Sequence, residues 1–197
     1  MNYLAHTALA QPNHFSLVGN LLGDFCKGTA LTTLPPPILA GLKNHRAVDV
    51  FTDSHPSVRD AKKVFSPSRR RFAGIALDVL FDHFLICHWT LFYDQPFSEY
   101  KQQLYTNLAA AEHLMPASMT LTMRSVRQHD WFLSYQQLTG LGHALDRIAS
   151  SIRFNNQFAG IIEEIKPNYA LLEQVFLQFY PHLKLQYILY LLKCINQ

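Results

Sequence analysis

Apolar residues recur at intervals of three and four along most of the chain, and this spacing predicts α-helices. Runs of alternating β-branched residues, which would predict strands, are not evident. The predicted helices follow one another at 1–10, 15–26, from the prolines of 32–37 to about Asp53, and then at 57–65, 69–92, 96–114, 118–132, 134–152, 156–165 and 168–195. The pattern therefore predicts an all-α protein, a single-domain helical bundle spanning 1–197.

Prolines mark several of the predicted joints. Pro56 disfavours helical angles at His55, so one helix should end there, and Ser54 is a candidate cap for the next. Pro96, Pro116 and Pro167 separate later helices. The stretch after Pro181 reads as helix, but the sequence assigns it no role.

The composition fits a folded, water-soluble domain. Hydrophobic residues make up 49% of the 197 residues and charged residues 16%, which suits a sizeable core and argues against disorder. A net charge of +3 is too weak to indicate nucleic-acid binding. The three cysteines are far apart, so neither a disulfide framework nor a cysteine zinc cluster is expected.

Nothing in the chain reads as a targeting or membrane segment. The N-terminal residues lack a basic region ahead of an apolar one, and the apolar stretch 187–195 is too short to cross a bilayer. These features predict a cytoplasmic protein without a membrane span.

The segment DVLFDHF at 78–84 places three ionisable groups among apolar residues. Asp78 and Asp82 lie four apart and share a helix face, and His83 stands at the edge of that face. Two neighbouring carboxylates repel each other unless a cation lies between them. A divalent metal would remove that repulsion, and a neutral imidazole would complete a site of nitrogen and oxygen ligands.

A second helix repeats this pattern. His45 and Asp49 lie four apart, and Asp53 follows four residues later. Asp24 in the second helix and His6 in the first add two further groups of the same kind. Several buried carboxylates and imidazoles need a common partner, and a metal ion is the favoured one.

Each of these residues also has a structural interpretation. Asp53 is as well placed to cap the next helix as it is to bind a metal. Asn20 is expected to form a helix–helix hydrogen bond. A lone buried histidine such as His6 is more often structural than ligating. Salt bridges with Arg46 or Arg59 would satisfy some of the carboxylates.

A cluster of cations follows these helices. Six basic residues in a short stretch are opposed only by Asp60, and they are Arg59, Lys62, Lys63, Arg69, Arg70 and Arg71. Such a patch suits an acidic partner or a phosphate, but a solvated helix end explains it equally well.

Five blocks of sequence together resemble one family. They are N-Y-L-A-H at 2–6, S-L-x-G-N-L-L-x-D-F at 16–25, H-R-x-x-D-x-x-T-D at 45–53, D-x-x-x-D-H-F at 78–84 with Trp89, and F-L-Q-F-Y-P at 176–181. In this order they are similar to the acyl carrier protein phosphodiesterases, over nearly the whole chain.

The resemblance implies a fold related to the HD phosphohydrolases and a divalent cation. Manganese is preferred, with magnesium or iron as alternatives. It implies removal of the 4′-phosphopantetheine arm from holo acyl carrier protein to give the apo protein. In place of the usual HD order, however, this chain carries Asp-His at 82–83.

Residue roles follow from combining this resemblance with the residue pattern. The predicted metal ligands are Asp24, His45, Asp49, Asp78, Asp82 and His83, with His6 as the next candidate. Asp78 or Asp49 is expected to orient or deprotonate the attacking water, and Arg46 to contact the phosphate. The basic patch is predicted to dock the acidic carrier protein, through contacts that weaken with salt.

Two other functions fit the same residues. The protein could be an HD-like phosphohydrolase of a nucleotide or another small phosphoester. Alternatively, it could be a non-catalytic helical protein that binds an acidic partner, with the Asp and His residues forming a structural network. Oligomeric state is not readable from the sequence.

Overall fold

The computed structural model describes residues 1–27 and 31–195, with side chains described up to 189. In these ranges the regular structure is helical and no strand is formed. The α-helices are α1 (Tyr3–Ala8), α2 (His14–Leu22), α3 (Pro36–Ser54), α4 (Pro56–Ala61), α5 (Ala73–Cys87), α6 (Trp89–Phe92), α7 (Phe97–Ala110), α8 (Ala117–Gln128), α9 (Trp131–Ser134), α10 (Leu138–Ser151), α11 (Ile162–Ile165) and α12 (Tyr169–Ile195). Short 3-10 turns extend several of them. The predicted all-α class is confirmed.

Three predicted helices are interrupted. The helix expected at 69–92 begins as a 3-10 turn, and it breaks at His88, where no Gly or Pro marks the break. The turn rotates Trp89 onto Tyr93 and Tyr100, with ring centroids 4.3 and 4.6 Å away. Packing of an aromatic side chain, which local periodicity does not encode, thus overrides the helical pattern here.

The other two breaks come from turn chemistry. The helix predicted at 118–132 breaks at Asp130, which adopts a left-handed φ of 40° and caps α9 through its side chain. The helix predicted at 156–165 reduces to its last turn, because Asn156 accepts the backbone N–H of Phe158 and Gly160 has a φ of 71°. Both are residue types that favour turns.

The joint predicted at Pro56 is confirmed, but its predicted cap is wrong. His55 has extended angles and occupies the N-cap position of α4, but its side chain accepts no hydrogen bond from the backbone N–H groups of the first turn. The Ser54 hydroxyl instead donates back to the carbonyl of Phe51 within α3.

Helix α5 runs through the core. Its residues are buried on nearly every side, which is typical of a central helix, and Phe81 and Phe84 pack against Phe176 of α12. The buried apolar side chains form one cluster that extends along the chain from Met1 to Leu183. This packing fixes the helix that carries Asp78 and Asp82.

Helices α2 and α3 approach each other unusually closely. A Cβ atom on Gly19 would lie 2.3 Å from the Ile38 carbonyl oxygen and 2.8 Å from the Cα of Gly41. Glycines at both positions therefore allow the two backbones to touch. The contact brings the end of α2 beside the middle of α3, where His45 and Asp49 lie.

None of the helices described combines the length and apolar character needed to cross a bilayer.

Candidate active site

A compact centre forms where α1 meets α3. The Nε2 atom of His6 lies 3.2 Å from Oδ1 of Asp49, and Nε2 of His45 lies 3.0 Å from Oδ2 of the same carboxylate. The two imidazole rings stack with centroids 3.9 Å apart. Ligand atoms of the three residues fall within 4.8 Å of one another, close enough to hold one metal ion. We call His6, His45 and Asp49 the His–Asp centre.

The orientation of His45 is set by α2. Its Nδ1 lies 2.7 Å from the backbone carbonyl oxygen of Asn20, which can only accept, so Nδ1 carries the proton. The lone pair is then on Nε2 and faces the Asp49 carboxylate. Two such atoms at 3.0 Å need a proton or a cation between them, and a histidine whose other N–H binds a backbone carbonyl is typical of metal ligands.

Asn20 is itself held in place. Its side-chain amide donates to the Ser16 carbonyl at 2.9 Å, and its side-chain oxygen accepts from Asn44 at 2.7 Å. Because Asn44 belongs to α3, the predicted helix–helix hydrogen bond of Asn20 is confirmed. Residue spacing does not reveal that the backbone of Asn20 also orients His45.

Gly23 is a site residue that sequence reasoning missed. A Cβ atom at this position would lie 2.0 Å from both Cδ2 and Nε2 of His45. Any side chain here would displace the imidazole. Gly23 directly precedes Asp24, a predicted metal ligand, and this neighbourhood was the signal that the sequence offered.

Asp78 joins the centre from α5. The Met1 ammonium group lies 2.8 Å from Oδ1 of Asp78 and 3.4 Å from Oδ1 of Asp49. Burial disfavours this charge, but the two carboxylates outweigh burial and raise the pKa of the amino group above 8.0. A cation thus lies between the carboxylates of α3 and α5.

Asp24 faces the same charges from the 3-10 turn after α2. Asp24 is exposed at the surface, yet desolvation of its carboxyl group and the charges of Asp49 and Asp78 raise its pKa, against the opposing effect of His45. Asp24 therefore lies within electrostatic reach of the centre and on its solvent side.

The two histidines of the centre differ in their affinity for a proton: the pKa of His6 is lowered and that of His45 is raised. Burial lowers the pKa of His6 to about 4, and its buried Nδ1 has no hydrogen-bond partner among the residues that the structure describes. Burial also opposes charge on His45, but Asp49 outweighs that effect and raises the pKa of His45. Burial disfavours charge on Asp49, but hydrogen bonds from both rings bring its pKa far below the usual range.

Asp82 is directed at α1. It is fully buried, and its two carboxylate oxygens accept the backbone N–H groups of Leu4 at 2.9 Å and Ala5 at 3.0 Å. Burial raises the pKa of Asp82 to about 7, although these two hydrogen bonds oppose the shift. The contacts anchor the helix that carries His6.

His83 is not brought to the centre. Its Nδ1 donates to the Tyr135 carbonyl at 2.6 Å, and its Nε2 lies 2.9 Å from the Tyr169 hydroxyl, which donates to it. Burial lowers its pKa, in keeping with a neutral ring. The 100° rotation between adjacent helical residues separates His83 from Asp82.

Two further candidate residues of α3, Arg46 and Asp53, face solvent. Asp53 is exposed and accepts from Lys62 at 2.7 Å, outside the centre. Arg46 is exposed beside His45 and forms no hydrogen bond or ion pair with the described residues. Arg46 is therefore free to approach an anion.

The basic patch divides into paired and unpaired cations. Lys62 is neutralised by Asp53, and Lys63 pairs with Asp60 at 2.6 Å. Arg59 is exposed and has no ion pair among the described residues.

The arginines that follow have structural contacts. Arg69 donates to the carbonyls of Gln157 at 2.7 Å and Ala159 at 2.8 Å. Arg70 donates to the Phe65 carbonyl, and Arg71 lies over the ring of Phe72 at 4.5 Å. Much of the patch thus ties the loop around 66–72 to the rest of the chain.

The fold and site define a helical protein in which imidazole and carboxylate groups from three helices converge. Comparison with known proteins identifies the family to which this protein belongs. The family profile described as "Acyl carrier protein phosphodiesterase" matches residues 1–183. No solved structure matches the chain.

Curated relatives match over nearly their whole length. A protein of Serratia proteamaculans named acyl carrier protein phosphodiesterase is 37% identical over 187 residues, covering 94% of this chain and 97% of the relative. The protein of that name from Escherichia coli O157:H7 is 35% identical over 191 residues, with the same two coverages.

The chain belongs to the acyl carrier protein phosphodiesterase family. It is an enzyme of the phosphodiester hydrolase class, and the hypothesis of a non-catalytic binding protein is therefore set aside. The relation to HD phosphohydrolases stays a prediction.

Proposed function

We propose that the enzyme hydrolyses the phosphodiester that links 4′-phosphopantetheine to the serine of holo acyl carrier protein, and that it needs a divalent metal to do so. The observation that carries this proposal is the convergence of His6, His45 and Asp49, with Asp78 close by, in a chain of this family. Names of the relatives supply the carrier protein as the substrate.

The residues present fit a metal ion. Two imidazoles and up to three carboxylates form a donor set of nitrogen and oxygen, and His45 has the orienting hydrogen bond expected of a ligand. Carboxylate oxygens favour manganese or magnesium, and manganese is the proposed ion.

His6, His45 and Asp49 would hold the ion, with Asp78 and Asp24 as further ligands. When bound, a divalent ion neutralises charge on the phosphoryl oxygens and lowers the pKa of water. Asp82 serves this arrangement indirectly, because it fixes α1 and hence His6.

The surrounding residues supply the other requirements of hydrolysis. Whichever of Asp78 and Asp49 keeps a free carboxylate oxygen is placed to orient the attacking water or accept its proton. Arg46, exposed one residue from His45, is placed to contact a phosphate oxygen.

Docking of the carrier protein is proposed for the basic patch, with Arg59 as its main contact. Its guanidinium is exposed and unpaired among the described residues, whereas Lys62 and Lys63 would have to exchange Asp53 and Asp60 for carboxylates of the partner. Exposed charge pairs of this kind weaken with salt. The cytoplasm is the proposed location.

The test is to incubate the purified enzyme with holo acyl carrier protein and manganese, or with a chelator, and to weigh the carrier by mass spectrometry. We expect loss of the phosphopantetheine mass with manganese only, and no loss with His45→Gln. The exposed His143→Gln serves as the matched control and should behave as wild type. An unchanged carrier with folded, metal-loaded enzyme would contradict the proposal, and turnover of nucleotides instead would favour a small-phosphoester hydrolase.

A further inference from the structure

A second pair of histidines meets on the far end of α3. The Nε2 atom of His55 lies 3.2 Å from Nδ1 of His182, although the two residues are 127 positions apart. His55 forms the joint between α3 and α4, and His182 lies on α12 directly after Pro181. Neither residue belongs to the His–Asp centre.

We propose that His55 and His182 form a second metal site, which takes a transition-metal cation of the zinc, nickel or copper type. Two ligands bound at 2.0–2.1 Å to a tetrahedral zinc ion stand about 3.3 Å apart. The two nitrogens already have this separation. Rotation of the two side chains, without a change of backbone, would direct both lone pairs at one ion. In the absence of an ion the same geometry serves as a hydrogen bond.

The surroundings of His55 allow it to present a lone pair. Its Nδ1 lies 2.8 Å from the hydroxyl of Ser57, which can accept the Nδ1 proton. A ligating histidine normally donates its other N–H in this way. The ring also packs edge-on against Phe179 at 5.2 Å, which limits its rotation.

The site is open to solvent on one side. His182 is exposed and His55 is half-buried, and within the described ranges no further Asp, Glu, Cys or His atom completes a group of three around them. Water would fill the remaining positions. Imidazole ligands without carboxylates favour zinc, nickel or copper over manganese.

A bound ion would fasten α12 to the end of α3. Because α3 carries His45 and Asp49, the second site would steady the helix on which the centre is built. Any ion that binds only the folded chain stabilises it, by an amount that grows with the logarithm of the ion concentration once that concentration exceeds the Kd.

The experiment titrates zinc chloride into chelator-treated enzyme and counts bound ions by calorimetry. We expect His182→Ala to bind one fewer zinc ion than wild type, and His143→Ala, another exposed histidine variant, to bind the wild-type number. Equal zinc stoichiometry in His182→Ala and wild type would overturn the proposal.

A thermal measurement separates an ion site from a plain hydrogen bond. If the pair binds zinc, the increase in Tm that zinc causes should shrink in His182→Ala and in His55→Gln. If zinc raises the Tm of these variants as much as that of wild type, the contact is a hydrogen bond only. Neither result depends on the identity of the substrate.

Discussion

The carboxylate of Asp82 accepts the backbone N–H of Leu4 at 2.9 Å, across 78 positions of sequence. With the matching bond from Ala5, this contact fixes the first turn of α1 on the central helix. The position of His6 in the His–Asp centre therefore depends on Asp82, whose side chain binds backbone N–H groups of α1.

Replacement of Asp82 by Ala should reduce stability as well as activity. The change leaves two buried N–H groups without acceptors, and each unsatisfied donor costs on the order of 1–3 kcal/mol. Urea unfolding should show a loss of roughly 2–5 kcal/mol, with Asp82→Asn in between. Full stability together with loss of bound manganese would instead identify Asp82 as a ligand.

Replacement of Gly23 by Ala should damage the centre without unfolding the chain. The new methyl group would lie 2.0 Å from Nε2 of His45 and force the ring aside. We expect a large fall in kcat for the carrier protein and weaker manganese binding.

Gly74 on α5 supplies the matched control. A Cβ there would meet only the end of Lys62, at 3.8 Å. Gly74→Ala should keep full activity and gain up to about 1 kcal/mol from improved helix propensity. Equal activities in the two variants would show that the position of His45 does not limit turnover.

His83 should make stability fall as the pH drops. Its pKa is lowered in the folded chain, whereas in the unfolded chain it takes up a proton near pH 6.5. Its contribution is thus fully present above about pH 6.5 and is lost below that value, by up to about 1.4 kcal/mol per pH unit.

The test of His83 compares urea unfolding of wild type and His83→Gln between pH 7 and pH 5. We expect stability to fall less steeply with pH in the variant, because it lacks the contribution of His83. His6 and the other titrating groups contribute to both proteins. Parallel curves would contradict a buried neutral His83. Manganese binding should be retained in this variant, since His83 lies outside the centre.

The basic patch should separate into docking and structural residues. Arg59→Ala should raise KM for holo acyl carrier protein, most strongly at low salt, because its charge is free to meet the partner. Arg69→Ala should leave KM unchanged and reduce stability by about 1–2 kcal/mol, through loss of its bonds to two carbonyls. A higher KM for Arg69→Ala, or an unchanged KM for Arg59→Ala, would overturn this division.

Sequence periodicity was sufficient to predict the helices and most of their joints. Apolar spacing identified α5, and proline restriction identified the end of α3 at His55. At Asp130 the residue type itself favours a turn. The break at His88 was not predictable, because it depends on the packing of Trp89 against Tyr100. Local pattern does not contain that distant contact.

The candidate site shows the same division. Spacing of four residues within one helix determines that His45 and Asp49 share a face, and that Asp78 and Asp82 do. Only the tertiary structure decides that Asp49 and Asp78 meet at one cation while Asp82 binds α1 and His83 turns away. Helix periodicity sets directions within a helix, whereas packing between helices sets which directions converge.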